Sequence, residues 1–325
     1  MEKIEGQSEE EPEEPTKVEG EGGARMRTET GIFVGPETIN AGGHQLHEWL
    51  PVEENIPQHP SLAFFGKRRT GKSTTIMNLC YHCFQHVPFV LVMSNTAFAG
   101  YWQEYVPNQF IFQGLRGDIL DALVARQKRL IKTFGKENPC TFALIIMDDI
   151  IADQKAIRWT PSLQSFFVEG RHLNITILIA TQNVKGVGPM IRRNLDYAYV
   201  QPMRALPEID ALYELFGSMH IENKREWKAF LKEAVHVEVL PDSTAAEPKK
   251  VVRPLVVANF EDASDASGQF FWWVPVYTGD LPKFRLGHQA YWEQPAVTMM
   301  TGHSSNTSRP DPVSVLDELD YGLNQ

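Results

Sequence analysis

Short apolar runs punctuate the middle of the chain at Leu62–Phe65, Phe89–Met93, Phe110–Phe112, Phe142–Met147, Ile175–Ala180 and Tyr197–Val200. Several are too uniformly apolar for a strand with one wet face. They predict strands covered on both sides, as in a parallel sheet packed between helices. Between them the period changes: Ile119, Leu120, Leu123, Leu130, Ile131 and Phe134 recur at helical spacing, as do Leu206, Ile209, Leu212, Tyr213 and Phe216. Strands alternating with helices predict an α/β fold with a mainly parallel central sheet flanked by helices.

The pattern fades at both ends. Residues 1–30 are rich in Glu, Gly and Pro and poor in large apolar side chains, which predicts an acidic disordered tail. The alternating core occupies residues 31–240. Residues 241–250 read as an exposed connection, after which RPLVVANF and QFFWWVPVY predict short strands, so that 241–294 forms a strand-rich extension and 295–325 a flexible tail.

Charge changes this picture little. The formal net charge of −10 comes from the ends, because residues 1–25 hold nine Glu against three basic residues and residues 311–325 hold four acidic residues and no basic one. The rest carries 28 of each sign, which argues neither for nor against a nucleic-acid partner. No apolar run approaches the roughly 18 residues that suggest a membrane span, and the start MEKIEGQSEEEPEEP lacks the basic-then-apolar order of a secretory signal. A soluble intracellular chain without a transmembrane segment is expected. Cys80 and Cys83 form a lone CxxC in a stretch expected to be helical; a zinc site would need two more donors, and buried helix positions are the simpler account.

The segment Gly66-Lys67-Arg68-Arg69-Thr70-Gly71-Lys72-Ser73 matches GxxxxGK[ST], with the apolar LAFF before it and the helix-compatible TTIMNLCYHC after it. Strand, glycine-containing loop and helix is the context in which backbone N–H groups and the positive end of a helix surround phosphate oxygens. Gly66 to Thr74 is therefore the expected cradle for ATP, with Lys72 reaching the β and γ phosphates and Ser73 ligating Mg. Downstream, ALIIMDDII sets Asp148 and Asp149 at the end of an apolar strand, Asp148 as the metal-side carboxylate and Asp149 as the candidate base for the attacking water. Neighbours on a strand point to opposite faces, so the two serve one site only if the strand has ended.

Room for two further strands between Ser73 and Asp148 favours the motor type of P-loop NTPase, which has an additional strand between the loop strand and the carboxylate strand, over nucleoside kinases and GTPases. ITILIAT ends at Thr181 and Gln182, where a polar side chain beside the γ-phosphate would report hydrolysis. In GPMIRRNLDYAYV, Arg192 and Arg193 read either as a solvated helix end or, in a ring ATPase, as charges facing a neighbour's γ-phosphate, with Arg171 of VEGRHLN as the rival. Lys128, Arg129 and Lys132 fall on one helix, where a solvated face is a simpler account than a DNA-contacting stripe.

The order GKRRTGKS, VMSNTAFAGYWQEYVPNQFIF, ARQKRLI, IIMDDI, FFVEGRHLNITILIATQN and IRRNLDYAYV, spanning about residues 60–205, resembles the poxvirus-type DNA-packaging ATPases of large double-stranded DNA viruses, within the HerA/FtsK superfamily of RecA-like motors. The GRH-to-TQ spacing and the R-N-x-D segment are more distinctive than the phosphate loop. The resemblance implies an ATPase that pushes double-stranded DNA into a capsid, with Gln182 as sensor and an arginine completing the site in trans. It also implies a homo-oligomeric ring, pentameric or hexameric, viral capsid or membrane proteins as partners, and a location in the host cytoplasm at the assembly site or with the virion. One position departs from it: superfamily relatives commonly have Asp-Glu at the strand end, and this chain has Asp148-Asp149. The rival functions are a metabolic P-loop phosphotransferase, for which no acceptor-binding lid is evident, and a nucleotide-controlled scaffold of virion assembly.

Overall fold

A computed structural model describes residues 16–20, 23–97, 99–150, 161–240, 249–259 and 265–293. The first strands are β1 (Thr16–Gly20), β2 (Gly23–Arg27), β3 (Phe33–Ala41) and β4 (His44–Trp49). The core strands follow: β5 (Ser61–Phe65), β6 (Phe89–Ser94), β7 (Ile111–Gln113), β8 (Ala143–Asp148), β9 (Ile175–Thr181) and β10 (Tyr197–Val200). Last come β11 (His236–Val239), β12 (Lys250–Arg253), β13 (Leu255–Ala258) and β14 (Phe270–Trp272).

Twelve of these form one sheet in the order β1-β2-β3-β4-β14-β13-β10-β5-β9-β8-β6-β7, and β11 and β12 pair separately. From β10 to β7 every pairing is parallel. Strands β5, β6, β8, β9 and β10 are buried along their whole length, which is why they read as continuous apolar runs. The additional strand is β9: it lies between β5, which leads into the phosphate loop, and β8, which ends at Asp148.

Two helices frame the site. Helix α1 (Lys72–Cys83) follows the loop and buries Cys80 and Cys83, whose thiols burial pushes up, Cys83 to about 12. Helix α2 (Gly117–Phe134) buries Ile119, Leu120, Leu123 and Leu130 as the spacing predicts, but Phe134, its last residue, is exposed. Arg126 is buried on the same face with its guanidinium 4.1 Å from the Phe89 ring centroid.

The structure differs from the sequence expectation at the N-terminal end. Residues 16–27 pair as the antiparallel β1 and β2 within the span expected to be disordered, and β2 continues onto β3 through Met26↔Val34. Ladder hydrogen bonds are backbone bonds, so a strand added to a sheet edge needs little apolar side-chain area. The acidic residues 1–15 and the expected tail 295–325 lie outside the described residues.

Strands β13 and β14 of the C-terminal extension join the main sheet. β13 pairs antiparallel with β10 and β14 pairs parallel with β4, so both sit inside the main sheet. Aromatic packing holds this junction: Trp49 of β4 lies 5.7 Å from Tyr199 of β10 and 5.4 Å from Trp273, and Phe64 stacks on Tyr199 at 4.9 Å. Each such pair adds about 0.5–1.5 kcal/mol beyond burial.

Candidate functional site

Strand β5 delivers its chain end into the loop at Gly66, whose N–H donates to Thr181 O at 3.1 Å and so fixes the loop's entry against β9. Glycine is required there by crowding: a Cβ would stand 2.5 Å from Gln201 Cβ and 2.7 Å from Thr70 Oγ1. Gly71, at the entry to α1, has φ +91°, a left-handed value that a side chain would strain. Between them Lys67, Arg68 and Arg69 form an exposed basic crown, and Thr70 Oγ1 donates to Lys67 O at 2.6 Å.

Lys72 is buried, and its ammonium donates to Gly66 O at 2.8 Å and to Lys67 O at 2.9 Å. Burial lowers its proton affinity, an effect opposed by the nearby Asp149 and Asp148 carboxylates and reinforced by Arg68. Ser73 and Thr74 are half-buried in the first turn of α1.

Asp148 ends β8 in register with Ser94 of β6 and Ala180 of β9. Burial raises the carboxyl's pKa against the opposing pull of Trp102, whose Nε1–H donates to Oδ2 at 3.3 Å, and of Lys72. Asp149 has left the strand: its φ is +54° and its N–H donates to Ala180 O at 3.1 Å. The strand thus ends where a shared site requires it, and both carboxylates act on Lys72. Gln182, one residue past β9, donates from its amide to both Asp149 oxygens, at 2.9 and 3.0 Å, and Arg68 Nε is 3.8 Å from Oδ2.

The loop, Asp148, Asp149 and Gln182 therefore meet at one end of the parallel strands. Arg171 and Arg193 do not. They line an open groove of about 650 Å³ with His172, Asp196 and Asn259, at the opposite end of the sheet. There Asp196 accepts from Ser61 N–H, the first residue of β5, at 2.8 Å, and Arg171 pairs with the same carboxylate, whose pKa burial raises. The seven residues of β9 separate the two ends by about 20 Å. Arg192 is half-buried; the ionised form of Glu214 is favoured first by its hydrogen bond with Lys224 and only lastly by the charge of Arg192. Lys128, Arg129 and Lys132 are exposed on α2.

Three residues of the site were not singled out by the sequence. Trp102 is 1% exposed and reaches Asp148 from a loop 46 positions upstream. Asn95 donates to Asp149 O at 2.7 Å. Gln201 lies under the loop, donating to Thr75 Oγ1 at 2.8 Å, while its buried Oε1 has no hydrogen-bond partner among the described residues. Only its place just after a strand beside β5 could have singled it out.

The donor set fits a nucleoside triphosphate with a divalent ion: a glycine-built cradle at a helix start, a buried ammonium, a hydroxyl at Ser73 and two carboxylates facing them. With β9 between β5 and β8, this is a P-loop NTPase of the additional-strand, RecA-like motor type. The chain belongs to the Poxvirus A32 protein family, whose model matches residues 53–230.

The chain is also similar to the uncharacterized protein 088R of Invertebrate iridescent virus 3, 32% identical over 136 residues, which cover 42% of this chain and 50% of that one. With the uncharacterized protein L437 of Acanthamoeba polyphaga mimivirus it shares 27% identity over 149 residues, 43% and 51% of the two chains. The match thus spans about half the length of these curated relatives. Among solved structures, the genome packaging NTPase B204 from Sulfolobus turreted icosahedral virus 2 in complex with sulfate superposes with a TM-score of 0.44 at 13% identity, covering 68% of this chain and 98% of that one.

Proposed function

We propose that this protein is a viral genome-packaging ATPase, a motor that couples ATP hydrolysis to movement of double-stranded DNA into a capsid. The observation that carries the proposal is the meeting of Lys72, Asp148, Asp149 and Gln182 at one end of the sheet of a Poxvirus A32 family chain. The loop from Gly66 to Thr74 would hold the phosphates, and Ser73 and Asp148 the Mg ion. When bound, the ion neutralises charge on the β and γ phosphates.

The chain's own groups divide the remaining work. Lys72 presents its charge to the phosphates, and Asp149, held by Gln182 and Asn95, takes the proton of the attacking water. Gln182 bridges that base and the γ-phosphate position. Arg171, Arg192 and Arg193 are the candidates for the charge supplied to a neighbouring subunit. Arg171 and Arg193 lie at the end of the sheet away from their own loop, which suits service in trans within a pentameric or hexameric ring. Capsid or membrane proteins are the expected further partners, at the cytoplasmic assembly site or in the virion. Among the described residues no helix is long and apolar enough to cross a membrane.

The deciding experiment is ATP turnover with and without linear double-stranded DNA, alongside electron-microscopic counting of subunits in the assembly. Severalfold stimulation by DNA and a closed ring are expected. Turnover indifferent to DNA would point to a phosphotransferase, and ATP binding without turnover to a scaffold.

A narrower prediction concerns Trp102. Phenylalanine at this position keeps most of the apolar volume and removes the donor to Asp148. A hydrogen bond to a charged group contributes about 1.5–3 kcal/mol to stability, so the variant is expected to fold but melt a few degrees lower, and, with the carboxylate no longer held, kcat is expected to fall about tenfold. An unchanged kcat would show that the bond does not position the carboxylate.

A further inference from the structure

The C-terminal part of the chain folds back over the start of α1 from two directions. The hairpin of β11 and β12 brings Val252 against the loop, where a Cβ on Gly71 would lie 3.2 Å from Val252 Cβ. On the other side, the segment after β14 is pinned along α1. The Asn78 amide donates to Val276 O at 2.9 Å and accepts from Val276 N at 2.7 Å, and the Thr278 and Thr74 hydroxyls are 3.2 Å apart. The two pieces are tied to each other by Lys249, whose ammonium donates to the Asp280 oxygens at 2.8 and 3.0 Å and lies 5.6 Å from the centroid of the Tyr277 ring.

Tyr277 is thus an exposed aromatic residue (37%) held near the end of the Gly66–Thr74 loop, where α1 begins. Its neighbour Thr278 is bonded to Thr74, the residue that follows Ser73. Gly279 lets the ring lie against the turn, since a Cβ there would come within 3.0 Å of Tyr277 Cε1. The ring is open to solvent with Lys249 beside it, and its chain neighbours Val276 and Thr278 are bonded to Asn78 and Thr74 of α1, so it stands at a set place next to the end of the loop.

We propose that Tyr277 is the platform on which the base of the bound nucleotide stacks, with Thr278 setting its distance from the phosphate loop and Lys249 holding the ring. The proposal rests on the nucleotide reading of the Gly66–Thr74 loop. Every base has a π-face, so stacking gives affinity without choosing among bases. The ligand class is a nucleoside triphosphate, and selection among bases is not expected of this residue.

The test compares ATP with inorganic tripolyphosphate, which has the phosphates and no base, by calorimetry on the full chain in the presence of magnesium. Tyr277→Ala is expected to weaken ATP binding about tenfold, the lower end of what a base–aromatic stack contributes, and to leave tripolyphosphate binding unchanged. Tyr277→Phe should bind both as the parent does. Tyr277→Leu, which keeps an apolar contact with the turn, should match the alanine variant for ATP and serves if alanine impairs folding. Unchanged ATP binding in the alanine or leucine variant would overturn the platform alone, as would parallel loss of both ligands, which would mean that Tyr277 shapes the loop. A parental protein that binds neither ligand would overturn the nucleotide reading and the platform with it.

Discussion

Replacing Lys72 by alanine is expected to leave a folded protein whose ATP turnover has dropped about 10³-fold, the size of effect produced by removing a charge or donor aimed at the transition state. The ammonium is buried among Gly66 O, Lys67 O and the two aspartates, where its work is electrostatic. The sign of its contribution to stability follows from the direction of its shift. Burial depresses the proton affinity of Lys72, so any stability linked to its titration is present only above the ordinary lysine range and is lost as pH falls through the folded value. Phosphate release and a thermal melt, taken together, check this. A folded variant that turns over at the parental rate would remove Lys72 from the chemistry.

The second large effect is expected between subunits. An arginine reaching a neighbour's γ-phosphate is worth about 10³-fold or more in rate, so an Arg192→Ala/Arg193→Ala variant should be inactive alone. Mixed with Lys72→Ala subunits it should regain turnover, because some interfaces then join an intact loop to an intact arginine. The position of Arg193 on the groove at the far end of the sheet from its own loop motivates this experiment. If no mixing ratio restores turnover although both variants assemble, the pair does not act in trans. Arg171, on the same groove and paired with Asp196, then becomes the candidate to test in the same way.

What was legible in the sequence follows from what kind of signal each part leaves. Strands buried on both faces leave unbroken apolar runs, so β5, β6, β8, β9 and β10 could be read to within a residue or so. The loop's course was legible because crowding at Gly66 and a left-handed backbone at Gly71 both require glycine, which leaves a fixed spacing in the sequence. An additional strand was legible as spare length, but not which one it would be. The chain between Ser73 and Asp148 supplies β6 and β7, which lie beyond β8, and the inserted strand β9 comes later in the chain. The early strands β3 and β4 mix exposed and buried positions and left no run to notice. Trp102 was beyond reach for another reason. Its hydrogen bond to Asp148 is a tertiary contact, and nothing about a tryptophan in a loop says which carboxylate it will meet.

The left-handed backbone at Asp149 bears on how this strand end can change over time. Aspartate is among the side chains best suited to positive φ, and glutamate, common at this place in the superfamily the chain resembles, is a methylene longer. Here the turn of the main chain supplies reach that a longer side chain would otherwise provide, setting the shorter carboxylate within hydrogen-bonding distance of Gln182. Backbone handedness and side-chain length together set where this carboxylate stands. A lineage that alters one without the other displaces the carboxylate, so the two should shift together or not at all.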